Sequence, residues 1–326
     1  MNLFSKLDKG TKILVGINCT LGIILAVTFC VMFLVTPSKR ADGSPNTHTK
    51  IYQQKKSAAV AEEQKIADDR PQIEGFFPAT FGEESEKYSV YVFRPGIDET
   101  PIIFQSRPMF PASMVKMFVL AKAMQDVKDG KLSLDENLTV TAENIVGGAG
   151  SLAGYGVNRQ VPVRLALELM IKESDNTATN ILIDRIGMDN LNAYLREKNY
   201  TDTQFNHKMM KAANNKSNYT SVTDLGNLFT KIYNHECVDE YYDDMMINFL
   251  LMQEDKECLP AALPVWNIAH KTGEGDRVYH DGGICFGARG DFIIVLMNDN
   301  YEVRADTIDK MKELAEQVAA ITFGKK

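Results

Sequence analysis

Residues 13–35, ILVGINCTLGIILAVTFCVMFLV, carry no charged side chain across 23 positions. This stretch restricts the architecture more than any other. As a helix it would rise ~34 Å at about 1.5 Å per residue, enough to cross the hydrocarbon core of a bilayer. A cleavable signal peptide is the competing reading. Its apolar region is usually about 7–15 residues and is followed by an Ala-x-Ala site, which is missing here. A lipoprotein signal would want a small residue before its cysteine, whereas Asn18 precedes Cys19 and Phe29 precedes Cys30. The expectation is therefore an uncleaved, single-pass signal anchor at 13–35 behind a cytoplasmic tail at 1–12. Lys6, Lys9 and Lys12 on one side are nearly balanced by Lys39, Arg40 and Lys50 on the other, so charge does not orient it. Residues 36–72 are polar, punctuated by Pro37, Pro45 and Pro71, and too poor in large apolar side chains for a core of their own. They read as a linker, partly helical around 50–68. That leaves 73–326 as the folded domain.

Within that domain, KYSVYVFRP (87–95) alternates as a strand should, and PIIFQS (101–106) follows after a turn near Gly96. Residues 112–129 are apolar on nearly every face, as in a buried helix, and Gly130 follows as a stop. Helical spacing recurs at 162–172, 176–186, 189–198, 222–234 and 241–252. Three strands are expected at 265–273, 280–287 and 291–299, then an amphipathic helix at 304–322. Two strands, a helical block, three strands and a helix predict an α+β domain, with early and late strands in one antiparallel sheet.

Phosphate binding needs a basic patch, and a net charge of -7 gives no reason to expect a nucleic-acid partner. The five histidines are scattered, with His270 and His280 the closest pair, and no metal or other cofactor is expected. Cys237, Cys258 and Cys285 lie outside the apolar segment. Their odd number favours unpaired side chains, with one Cys237–Cys258 bridge as the alternative.

Three short patterns carry the chemistry. Ser113 and Lys116 in PASMVK stand one helical turn apart, so the lysine can reach the hydroxyl. A serine hydroxyl is a weak nucleophile until a base takes its proton, and a lysine in an apolar helix is desolvated toward its neutral, basic form. Taken alone, the pair is more simply a helix start with a snorkelling lysine. Ser174-Asp175-Asn176 lies between two helical runs and by itself reads as a cap. Lys271-Thr272-Gly273 closes a strand and by itself reads as a turn. All three in this order are far harder to obtain by chance than any one of them.

With these residues the chain resembles the penicillin-recognising serine enzymes, most closely the class A β-lactamase-like serine hydrolases. GGAGSL (147–152) and HDGGI (280–284) fit the same pattern, and the resemblance spans about 75–324. It implies a β-lactamase/transpeptidase-like fold in which an antiparallel sheet is flanked by a helical block. It also implies Ser113 as nucleophile, Lys116 as its base and Ser174 as the proton relay to the leaving nitrogen, with Lys271 the remaining catalytic residue. Asn176 would bind the substrate amide, Thr272 and Lys271 its carboxylate, and Gly273 would permit close approach of a ligand backbone. The N–H groups of Ser113 and Glu274 would form the oxyanion hole. Such an enzyme would act outside the cytoplasm, its catalytic domain tethered to the cell membrane and monomeric apart from the anchor.

The sequence departs from the family in one respect. Class A β-lactamases place a Glu in a loop after Ser-Asp-Asn to position the water that frees the acyl-enzyme. Between Thr203 and Thr223 there is no Asp or Glu, and the expected place falls near Met209 and Met210. Asp202 and Asp224 flank the gap, and His207 within it is a candidate substitute base, although a lone loop histidine is more often merely exposed. A missing general base slows a step by about 10²–10⁴-fold. Three functions follow: a membrane-anchored serine hydrolase acting on β-lactams or related amides; a D-Ala-D-Ala-type peptidase or penicillin-binding protein with slow deacylation; and a non-catalytic binding domain. Retention of the acylation residues weighs against the third.

Overall fold

The computed structural model describes residues 69–211 and 216–324. The anchor expected at 13–35 and the helical linker expected around 50–68 lie outside the described residues, as do Cys19 and Cys30. Among the described residues no helix is long and apolar enough to cross a membrane.

In chain order, helix α1 (Arg70–Phe81) precedes strands β1 (Tyr88–Phe93) and β2 (Ile102–Phe104). A 3-10 turn at Ala112–Val115 runs into α2 (Lys116–Lys128), followed by short strands β3 (Asn137–Thr139) and β4 (Gln160–Pro162). The helical block is α3 (Val163–Lys172), α4 (Asn176–Ile186), α5 (Met188–Glu197), α6 (Val222–Tyr233), α7 (Glu240–Leu251) and the one-turn α8 (Leu259–Ala262). Strands β5 (Asn267–Gly275), β6 (Val278–Phe286) and β7 (Asp291–Asp299) lead to α9 (Arg304–Phe323).

The sheet order is β2-β1-β7-β6-β5 with every pairing antiparallel. Val90 of β1 stands opposite Leu296 of β7, so the first long strand is paired with the last. Period-two alternation divides the sheet into two apolar faces. Ala269, Ile284, Ile293, Val295 and Met297 join one core with α2 and the helical block. Ile268, Tyr279, Phe292, Ile294 and Leu296 join a second with α1 and α9. Helix α2 is enclosed: every residue from Lys116 to Met124 is buried, which explains its apolar character all round. Phe118 and Leu120 are wholly removed from water, each worth about 1.5–3 kcal/mol of burial.

Helix α1 opens at Arg70, inside the stretch whose composition reads as linker. Pro71 sits in its first turn, where a missing N–H costs nothing. Ile73, Phe77 and Phe81 form its buried face, while Gly75 and the internal Pro78 weaken the helical signal. Asp69 just before it pairs with Arg94 at 2.5 Å, and the same buried guanidinium pairs with Asp98 at 2.7 Å. Cys237, Cys258 and Cys285 are free and buried, so no Cys237–Cys258 bridge forms.

Candidate active site

Three elements converge on one buried cluster: the turn leading into α2, the turn leading into α4, and strand β5 at the sheet edge. Lys116 Nζ stands 3.0 Å from Ser113 Oγ. It also meets Ser174 Oγ at 3.1 Å, the Ser174 carbonyl at 2.5 Å and Asn176 Oδ1 at 2.8 Å. Lys271 Nζ donates to Ser174 Oγ at 3.0 Å and to the Thr272 carbonyl at 2.7 Å. Ser174 Oγ is therefore the bridge between the two lysines.

Both amines are fully buried and share a partner, and this governs their protonation. Burial, reinforced by the Lys271 charge and opposed by Asp175, holds Lys116 well below the ordinary lysine value. Burial pushes Lys271 down to about 7, against the pull of Asp255 and Asp281. A neutral Lys116 has a lone pair free to accept the Ser113 proton.

The turn before α4 is held by Asp175. Its Oδ1 accepts from Ala178 N–H as a helix cap and its Oδ2 from Leu152 N–H, both at 2.7 Å. Gly150 (φ +91°) is required here: a Cβ would lie 2.1 Å from Asp175 Oδ2. Ser174 itself has a φ of 56°, a strained conformation for a residue with a Cβ. Asn176 donates through Nδ2 to the Gly147 carbonyl at 2.9 Å, so its amide is held at both ends by the protein.

At β5, the close approach that Gly273 permits is by the chain's own Pro111–Met114 segment, which carries Ser113. A Cβ there would lie 2.9 Å from the Pro111 carbonyl and 3.0 Å from Met114 Cγ. Thr272 is buried on the same strand. The Glu274 carboxylate turns to Arg304, meeting Nε at 2.6 Å and Nη2 at 3.0 Å, and Arg304 also binds Glu257 at 2.7 Å. The two histidines closest in sequence have separate partners: His270 Nδ1 meets Asp281 at 2.8 Å, and His280 Nε2 meets the Phe110 carbonyl at 2.9 Å. Among the described residues no group of His, Cys, Asp and Glu could hold a metal ion.

The segment expected to carry the deacylating carboxylate is anchored by Asn180. Asn180 Oδ1 accepts from Met209 N–H at 2.8 Å, and Nδ2 donates to the Met209 carbonyl at 3.1 Å. The Met210 thioether comes to 3.5 Å from the point where a Cβ on Gly148 would stand, and Asn176 Nδ2 lies 2.9 Å from that point. Of the flanking acids, Asp224 is occupied elsewhere. Asp224 accepts from Asp202 N–H at 2.9 Å and Thr203 Oγ1 at 2.7 Å, and burial raises it to about 6. His207 Nδ1 sits 2.7 Å from the Lys208 carbonyl. Asn180 was not among the residues singled out in the sequence; its signal is its place one turn beyond Asn176 on the same helix face.

A fold of one antiparallel sheet between a helical block and a terminal helix pair, with a Ser-Lys-Ser-Lys cluster at its edge strand, defines a β-lactamase/transpeptidase-like class. Residues 73–322 match the β-lactamase enzyme family model, and the chain belongs to that family. No curated protein matches. Among solved structures, a β-lactamase from Sphaerobacter thermophilus DSM 20745 is similar in fold: TM-score 0.72 and 19% identity, covering 78% of this chain and 98% of that one. PBP-A is 26% identical, with TM-score 0.69, covering 78% of this chain and 95% of that one. A single-site mutant of PBP-A, solved as an acyl-enzyme complex with penicillin G, gives TM-score 0.70 at 26% identity, covering 78% of this chain and 96% of that one.

Proposed function

We propose that the chain is a serine acyl-transfer enzyme that forms an ester on Ser113 and releases it slowly. Its acyl donors would be β-lactams or the related D-Ala-D-Ala amide of cell-wall peptides. The observation carrying this reading is the buried Lys116 amine 3.0 Å from Ser113 Oγ, depressed toward its neutral form. Lys116 takes the hydroxyl proton as Oγ attacks the carbonyl carbon. The N–H groups of Ser113 and Glu274 receive the developing oxyanion. The C–N bond then breaks, and the proton passes through Ser174 Oγ, shared by both lysines, to the leaving nitrogen. Lys271 and Thr272 at the open edge of β5 would take the donor's carboxylate, and Asn176 its side-chain amide.

Slow release is supported by the lack of any Asp or Glu from Thr203 to Thr223, where Met209 and Met210 fall at the sequence position expected for the carboxylate and Asn180 holds the Met209 backbone. This supports a reading nearer a penicillin-binding peptidase than an effective β-lactamase. The acyl-enzyme complex of a 26% identical PBP-A mutant supports penicillin as a donor. The 13–35 segment would hold the domain outside the cytoplasm, where both donor types occur.

Incubation with a fluorescent penicillin, followed by intact mass over time, tests this. The expected result is a persistent adduct that Ser113→Ala abolishes. Rapid turnover without an adduct would favour the β-lactamase alternative; neither adduct nor turnover would sink both enzymatic readings.

A further inference from the structure

Ser113 is delivered by a short strap, Met109–Ala112, that lies outside the sheet and outside α2. The strap begins at a two-way backbone bridge: Met109 N–H donates to the Thr220 carbonyl at 2.7 Å, and Thr220 N–H returns to the Met109 carbonyl at 3.0 Å. It ends in Ala112, whose φ of 44° lies in the left-handed region that a Cβ disfavours. Such a conformation lasts only where its surroundings hold it.

His280, the third residue of β6, supplies the hold between those two points. Its Nδ1 accepts the Asn298 backbone N–H at 3.2 Å, which leaves the ring proton on Nε2. Nε2–H then donates to the Phe110 carbonyl at 2.9 Å. The ring is fully buried, and burial keeps it neutral, pushed down to about 4. A cationic ring would forfeit the Asn298 bond, so the neutral tautomer and the strap geometry support each other. His280 Cδ2 also lies 3.2 Å from the Cβ position of Gly273, where the strap's Pro111 carbonyl presses on β5.

We propose that His280 is a positioning residue for Ser113: its Nε2–H bond to Phe110 seats the strap against β5 and β6 and thereby aims Oγ at Lys116. The inference rests on acylation of Ser113 as proposed above. His280 touches no reacting atom in this scheme; its effect passes through the Phe110 carbonyl.

Two amide variants separate positioning from packing. In His280→Gln the side-chain NH₂ reaches the Nε2 position and can still donate to Phe110. In His280→Asn the amide reaches only the Nδ1 position and can serve Asn298 alone. Stopped-flow labelling with fluorescent penicillin yields the initial binding constant and the acylation rate separately. A misplacement near 1 Å costs up to about 10²-fold in rate. His280→Asn should therefore acylate at least about tenfold more slowly with its binding constant little changed, and His280→Gln should stay within about threefold of the parent. Equal rates in the two variants, or losses that merely follow their melting temperatures, would overturn the positioning role. Failure of the parent protein itself to be labelled is a distinct outcome, and it would remove the acylation reading together with this one. His280→Leu, which removes both bonds, should fall with His280→Asn if it folds; the amide pair decides the matter without it.

Discussion

Replacing Lys116 with Met keeps the length and apolar stem of the side chain and removes only the amine. Ser113 Oγ loses the amine that takes its proton, and Ser174 Oγ, the Ser174 carbonyl and Asn176 Oδ1 lose a shared donor. Ser174 Oγ keeps Lys271, so the relay serine stays anchored. Among the described residues Ser113 Oγ has no other bonded base, and its attack loses a general-base contribution of about 10²–10⁴-fold, or roughly 3–5 kcal/mol of barrier. Folding should respond much less. Orphaning the buried Asn176 and Ser174 oxygens costs about 1–3 kcal/mol each, while removing a desolvated amine returns a similar amount. The assay is the acylation rate of fluorescent penicillin across pH, with thermal melting as the folding control. In the parent protein the rate should rise as Lys116 loses its proton and level off below the ordinary lysine value of 10.5. A Lys116→Met protein that folds and acylates within about tenfold of the parent would refute Lys116 as the base.

Other outcomes follow from the same geometry. Lys271 titrates near 10.5 in the unfolded chain and near 7 when folded, so between these values the unfolded chain holds the extra proton and stability rises with pH. Lys271→Met should remove one proton's share of that rise, up to about 1.4 kcal/mol per pH unit, in urea unfolding at pH 7 and pH 9. Met209→Glu should shorten the lifetime of the penicilloyl adduct by about 10²–10⁴-fold, read by mass spectrometry; an unchanged lifetime would show that a carboxylate there does not reach the water. Asp175→Ala strips the buried Ala178 and Leu152 N–H groups of their acceptor and should cost about 2–4 kcal/mol in denaturant unfolding.

Much of the fold is legible in local pattern. The alternation at 88–93, the apolar run of α2 with its leading 3-10 turn, and the helical spacing of α3 to α7 each depend on neighbours a few residues away. Each appears within two residues of its expected bounds. α1 escaped because Gly75 and Pro78 obscure its period, and its face is recognisable only against the sheet it covers. β3, β4 and α8 are too short to show a period.

Three short patterns in the sequence are enough to pick out Ser113, Lys116, Ser174, Asn176 and Lys271, which the fold brings into one hydrogen-bonded cluster, and the lack of an acid between Thr203 and Thr223 is a fact of composition. What each group is bonded to depends on the folded chain. Gly273 turned out to face the chain's own Pro111–Met114 turn, the Glu274 carboxylate to bind Arg304, and His280 to hold the strap before Ser113. The depressed protonation of Lys116 and Lys271 likewise arises from burial, with the Lys271 charge adding to the effect on Lys116. Residue type sets what a side chain can donate or accept, but its partner and its dielectric surroundings come from segments remote in sequence, which only folding brings together.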